Sequence, residues 1–191
     1  MYFRNPIPSQ PARARVLDAA ERLVLETGAG HLTLDAVAKC AGLSKGGLLY
    51  HFPSKDLLLE AMLTRFLSDI EAQIATRSAR GKGAPTHLDE FRERVRVLLE
   101  LPRARRRAGA ALLAASADKP ALMARCRRSY REFVDEIATL PGGFERAALV
   151  QLAVDGLVLG ELLQLSPYTS DERSKLVKAL IKAADQCGRM Q

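Results

Sequence analysis

The residues with the most chemistry to offer gather between Thr33 and Lys55. The run Ser44-Lys45-Gly46-Gly47-Leu48-Leu49-Tyr50-His51-Phe52 sets a capping hydroxyl, a cation, two positions without side chains and two polar aromatics side by side. Bare backbone lets a helix N-terminus approach a phosphate or a base edge closely. Lys45 can neutralise phosphate, and Tyr50 and His51 can donate hydrogen bonds. This is the equipment of polyanion recognition rather than of bond making. The three histidines, His31, His51 and His87, belong to no HExxH, GxSxG, P-loop or GxGxxG arrangement. No converging acid–base pair stands out, so no catalytic residue and no cofactor is expected. Cys40, Cys126 and Cys187 lie too far apart in sequence for a CxxC metal site or a disulfide framework, so no metal is expected. Reduced thiols and a cytoplasmic protein are the expectation. A redox switch at Cys40 is weighed against the plainer reading of a small buried hydrophobe.

The elements that must carry these residues are helical nearly throughout. The chain has 191 residues, 48% hydrophobic and 27% charged, which excludes wholesale disorder. Its formal charge is +7, from 29 Lys+Arg against 22 Asp+Glu, and such a basic excess favours a polyanionic partner. Residues 1–11 carry three prolines and read as a flexible arm. A first helix is predicted from about Ala12 to Glu26, on the stripe Val16, Leu17, Ala20, Leu23 and Val24, ended by Gly28 in a left-handed cap. Thr33 caps a short second helix, Ala41-Gly42-Leu43 turns the chain, Ser44 caps a third, and Pro53 stops it. Ser54 caps a fourth, whose apolar face is Leu58, Met62, Phe66 and Ile70.

Two helices joined by so short a turn must cross steeply, which demands a small residue at the crossing and a glycine in the turn. Ala38 and Gly42 fill those places, with Val37, Leu43 and Leu48 as the apolar wedge. This is the spacing of a helix-turn-helix, whose second helix enters the major groove. The motif Thr33-Leu34…Val37-Ala38…Ala41-Gly42-Leu43-Ser44-Lys45-Gly46-Gly47-Leu48…His51-Phe52-Pro53-Ser54-Lys55-Asp56-Leu57-Leu58 resembles the N-terminal domain of the tetracycline-repressor (TetR) family. The resemblance spans residues 12–60. It implies a one-component regulator, usually a repressor, with an N-terminal DNA-binding domain and a variable C-terminal domain that binds a small molecule and dimerises. Carried over by position, it implies that Thr33 and Ser44 contact phosphates. It puts Lys45, Gly47 and Tyr50 at base edges or adjoining phosphates, counts Gly46 among the DNA-binding residues, and has His51 and Lys55 hold the backbone. Leu34, Val37, Ala38, Leu43, Leu48 and Phe52 become core. One position departs: directly after Leu48 the family commonly carries Tyr, and this chain has Leu49.

Beyond Arg77–Pro85, where small and basic residues mark a hinge, five further helices are predicted at about 86–100, 104–117, 119–139, 144–164 and 170–187. The expected fold is all-α: an arm to residue 11, a DNA-binding domain over 12–56, and a ligand-binding and dimerisation domain over 57–191. The stretch Ala147–Leu165 is interrupted by Asp155 and Glu161, and an Asp at a bilayer centre costs roughly 2.5–3.5 kcal/mol, so a buried helix is expected and not a membrane span. Leu152, Gly156, Leu159, Gly160 and Leu163 on that helix, with Leu176 and Leu180 on the last, are expected to form a four-helix interface with a second copy. The alternative is a monomer's central helix. Phe66, Phe91, Leu98, Leu112, Met123, Tyr130 and Phe133 are candidates for the lining of an effector cavity. The cluster Arg103, Arg105, Arg106 and Arg107 reads as a solvated helix start or acid-pairing face, with an anionic ligand as the second reading. The expected function is a dimeric repressor that reads a palindromic operator and is released by a small molecule. A non-sequence-specific DNA-binding or protein-interaction module is the alternative.

Overall fold

The computed structural model describes residues 11–81, 83–140, 143–163 and 165–188. The expected N-terminal arm lies outside them except for Pro11. Among the described residues there is no strand. The helices are α1 (Ala12–Thr27), α2 (Leu34–Ala41), α3 (Lys45–His51), α4 (Lys55–Ser78), α5 (His87–Glu100), α6 (Arg103–Ser116), α7 (Pro120–Ile137), α8 (Phe144–Leu162) and α9 (Ser170–Gln186), with a 3-10 turn at Ala29–His31 that periodicity does not predict. Local chemistry fixes most helix starts. The hydroxyls of Thr33, Ser44, Ser54, Thr86 and Thr169 each accept a backbone N–H of the first turn. Thr86–Asp89 and Thr169–Glu172 form full capping boxes. Gly28 ends α1 with φ 84° and ψ 156°: the positive φ favours glycine, as the sequence suggests, but the ψ lies outside the left-handed helical region.

Apolar burial divides into two main clusters. The first gathers Val16, Ala20 and Val24 of α1, Val37 and Ala38 of α2, Leu48 and Phe52 around α3, and Leu58, Leu59, Met62 and Leu63 of α4. Ala108 and Leu112 of α6 close it from the other side. The second gathers Phe91, Val95 and Leu99 of α5, Phe133 and Ile137 of α7, Ala147, Val150, Val154 and Leu157 of α8, and Ala184 and Cys187 at the end of α9. A smaller cluster, Ile70, Ile74, Val97 and Leu101, ties α4 to α5.

Helix α4 therefore belongs to both halves. Its 24 residues extend for about 36 Å. Its first turns pack on α1 and α3, and its last turns pack on α5. The stripe Leu58, Met62, Ile70 is buried as its spacing predicts, whereas Phe66 is only half buried. The boundary placed after Asp56 falls inside this continuous helix.

Helix α6 locks against α4 through Gly109. A Cβ at that position would overlap the Phe66 ring, so any other residue would have to push that ring aside. Ion pairs add to this packing: Arg105 to Asp69 at 2.8 Å joins α6 to α4, Lys119 to Asp56 joins the start of α7 to α4, and Arg106 to Glu161 at 3.2 Å joins α6 to α8. The arginines after Pro102 are thus partly an acid-pairing face. Arg103 and Arg107 stay exposed.

Candidate nucleic-acid interface

The turn between α2 and α3 is built by backbone geometry. Gly42 adopts φ 65° and ψ 41°, the left-handed region that a β-carbon disfavours. The Leu43 N–H donates to the Ala38 carbonyl at 3.0 Å and the Gly42 N–H to the Lys39 carbonyl at 3.2 Å. That pair of bonds is a Schellman cap. It brings the half-buried Leu43 back onto the core beside Ala38. Arg15, on α1, donates from Nη2 to the carbonyls of Ala41, at 2.8 Å, and Gly42, at 3.3 Å. A cation thereby satisfies the orphan acceptors at the C-terminus of α2, where the helix dipole favours it. Local sequence carries no signal for this role, because 26 residues separate Arg15 from Ala41.

Helix α3 is seated by one face and open on the other. Leu48 is wholly buried, and Phe52 is buried just beyond the helix end with the Arg13 guanidinium 5.1 Å from its ring centre. The Ser44 Oγ accepts the Gly47 N–H at 3.1 Å. A hydroxyl that accepts one N–H still has its own hydrogen to donate, so Ser44 and Thr33 can cap a helix and bind a phosphate at once. Lys45 and Gly46 are exposed. Tyr50 is 84% exposed, a value that excludes it from the core, and its ring meets His51 edge-on at 5.1 Å. Lys55 opens α4 behind Ser54. The sequence-predicted residues Thr33, Ser44, Lys45, Gly46, Tyr50 and, half exposed, Gly47, His51 and Lys55 lie on and around this short helix. Lys45 is paired with Asp35 at 3.0 Å, and both groups are well exposed. An exposed pair of this kind is worth roughly 0–1 kcal/mol, so a phosphate can take Lys45 over at small cost. Leu49, at the position of departure, is half exposed on α3. Cys40 is exposed, not the buried hydrophobe of the plainer reading.

The seven residues expected around an effector do not share one cavity. Phe66 and Leu112 line a recess between α1, α4 and α6 that is nearly filled, at about 20 Å³. Phe91 and Phe133 line a separate recess of about 230 Å³ between α4, α5 and α7, whose other walls include Ile74, Ile137, Arg94, His87 and the carboxylates of Glu71, Glu90, Glu132 and Glu136. Leu98 packs between the second and third clusters. Met123 is half buried outside both recesses. Tyr130 donates to Asp155 at 2.6 Å. Spacing along a helix selects residues that face inward, but it does not say which inward space is filled.

On α8 the outward stripe is apolar. Leu149, Leu152, Leu159 and, just past the helix end, Leu163 are each more than half exposed, with Ala153 and Gly156 open between them. Gly160 is half exposed beside Ser166. Leu176 and Leu180 of α9 are half buried against their own protomer's core, so α8 rather than α9 supplies the bare apolar surface. Among the described residues, no helix is long and apolar enough to cross a membrane.

The sequence matches two family profiles. "Bacterial regulatory proteins, tetR family" covers residues 16–62, and "Tetracyclin repressor-like, C-terminal domain" covers residues 89–185. The chain is 30% identical over 183 residues to the HTH-type transcriptional regulator BetI of Burkholderia thailandensis, covering 88% of this chain and 91% of that one. It is 35% identical over 63 residues to the HTH-type transcriptional regulator TtgR of Pseudomonas putida; that match spans 33% of this chain and only 30% of the relative's length. Among solved structures, the multidrug-binding protein EbrR, complexed with imidazole, superposes with a TM-score of 0.65 at 25% identity, covering 94% of this chain and 97% of that one.

Proposed function

The chain belongs to the TetR family of bacterial regulatory proteins, and on that footing we propose that it is a dimeric repressor which reads a palindromic operator and lets go of it when a small molecule fills the C-terminal half. The observation that carries the reading is the exposed edge of α3, held by the left-handed turn at Gly42. In this reading residues 12–56 are the DNA-binding unit and residues 57–191 the effector and dimer unit. Thr33 and Ser44 donate to phosphates. Lys45 and Tyr50 reach base edges or neighbouring phosphates. Gly46 and Gly47 let the start of α3 approach closely, while His51 and Lys55 steady the backbone.

Two copies joined along Leu152, Gly156, Leu159, Gly160 and Leu163, with Leu176 and Leu180 alongside, would hold their α3 helices about 34–36 Å apart, one turn of B-DNA. Helix α4 supplies the link between the halves. Lys55 starts it at the DNA side, and Ile74 lines the recess some 19 residues further on, about 28 Å away. A molecule that fits the recess only when α4 shifts would change the spacing of the two α3 helices. To release the operator decisively it must prefer the shifted state by roughly 5 kcal/mol. That EbrR has been solved with imidazole and with ethidium supports a small-molecule effector here. A DNA-reading protein of this kind works in the cytoplasm.

Fluorescence anisotropy with DNA from upstream of the chain's own gene tests the proposal. Specific binding that survives excess random-sequence competitor, with two protomers per site, is the expected result. Equal displacement by random DNA would favour a non-sequence-specific binder instead.

A further inference from the structure

The recess between α4, α5 and α7 has a floor and a mouth of different character. Phe91, Phe133, Ile74 and Ile137 are buried and make the floor. Phe91 and Phe133 are stacked at 6.3 Å, and Tyr130 meets Phe133 edge-on at 6.1 Å. Glu71, Glu132 and Glu136 are exposed at the mouth, with Glu90 half buried beside them. Only Glu71 has a partner among the described residues, Arg125 at 3.7 Å and Ser129 at 3.3 Å. The cations of the lining are Arg94 and, when protonated, His87.

Arg94 shows what this space stabilises. Its guanidinium carbon lies 4.2 Å from the centre of the Phe133 ring. Its Nε is fully buried and has no hydrogen-bond partner. The group is held by an aromatic face and by surrounding carboxylates instead of by a direct ion pair. Burial pulls its pKa below the ordinary value, and the charges of Asp155, Glu136 and Glu71 recover part of that loss. An aromatic floor inside a ring of negative charge is a receptor for an organic cation. A mouth of one sign also concentrates ligands of the other. An anion would have to pass the glutamates to reach Arg94.

We infer that this recess takes an organic monocation with an aromatic or apolar body, its charge among Glu90, Glu132 and Glu136 and its body against Phe91, Ile74 and Ile137. The inference rests on the reading of the protein as ligand-responsive and adds the chemical class of the ligand. The structural signature is a cation–aromatic contact already occupied by Arg94, so part of the recess is filled by a side chain that resembles the ligand.

The test uses three probes of one shape on the full-length protein, followed by ligand-observed NMR. They are benzyltrimethylammonium, its neutral carbon isostere neopentylbenzene, and the anion phenylmethanesulfonate. The ammonium is expected to bind at least tenfold tighter than the other two. The double variant Glu132→Gln/Glu136→Gln is expected to remove that advantage while leaving the affinity of neopentylbenzene within twofold. Both positions are exposed, so the fold should survive, and a thermal melt checks it. Arg94→Met, which frees the Phe133 face, is expected to tighten the ammonium several-fold. Preference for the sulfonate, lost in Arg94→Met, would overturn the inference in favour of an anion site. Equal binding of all three probes, or of none, would overturn it too. Operator binding is measured separately by anisotropy, so failure of the repressor reading is distinguishable from failure of the ligand class.

Discussion

At the scale of single residues, Lys45 and Arg15 would serve the proposed interface in two different ways. Lys45 is free to meet a phosphate, since its bond to Asp35 is exposed and weak. Replacing it by alanine should weaken operator binding evenly across sequences. The slope of log affinity against log salt should flatten by about 0.9 for each Lys45 lost, and the melting temperature should hardly move. Anisotropy titrations at several salt concentrations measure this, and an unchanged slope would remove Lys45 from the contact surface. Arg15 touches no ligand in this scheme but fixes the carbonyls at the turn. The exposure of Lys45 at the start of α3, which makes it a candidate contact, was legible in the sequence because it depends on neighbours a few positions away. The role of Arg15 was not, since it depends on α1 packing against α2.

At the scale of elements, caps and close approaches decide how firmly each helix is placed. The capping box at the start of α5 ties Asp89 to the hydroxyl and backbone N–H of Thr86. Those hydrogen bonds, the side-chain one foremost, hold the Asp89 pKa below its ordinary 3.8. A carboxylate with a depressed folded-state pKa stabilises the fold above its unfolded value and loses that contribution as pH falls through the folded one. Asp89→Asn should therefore lower the melting temperature at neutral pH and lessen its fall with acidification below about pH 4. Parallel melts of wild type and variant from pH 7 to pH 2 read this; identical slopes would mean that the box is not formed in solution. Gly109 is the second case. Alanine there gains up to about 1 kcal/mol of helix propensity but forces Phe66 aside, and overpacking costs about 1–3 kcal/mol. The expected net is destabilisation, recovered by Phe66→Leu in the same chain. Denaturant melts of the single and double variants form the cycle, and additive effects would deny the contact.

At the scale of the whole molecule, the bare stripe of α8 and the continuity of α4 matter most. Four leucines more than half exposed along one face make a patch that a monomer rarely leaves in water. Leu152→Glu with Leu159→Glu should yield a folded monomer by light scattering. Its operator affinity should fall about 100-fold or more, because the second half-site is no longer tethered to the first. A variant that stays dimeric would move the interface elsewhere. The inward-facing aromatic residues line two recesses rather than one. Phe66 and Phe91 both face inward, but α6 fills the space beside Phe66, whereas α7 leaves room beside Phe91.

What the sequence determined by itself was set by short-range physics. A hydroxyl before five of the helices, prolines and glycines between helices, and apolar residues at three- and four-residue spacing fix where helices begin, end and turn inward. The helix-turn-helix is the extreme case, for its caps and its turn are made by residues within five positions of each other. Only the tertiary structure decided which helices meet. It closed the recess at Phe66, opened the one at Phe91 and Phe133, seated Arg94 on an aromatic ring and brought Arg15 to the turn. Those outcomes depend on volume and charge contributed by helices far apart in the chain, and no local pattern records how such helices will be apposed.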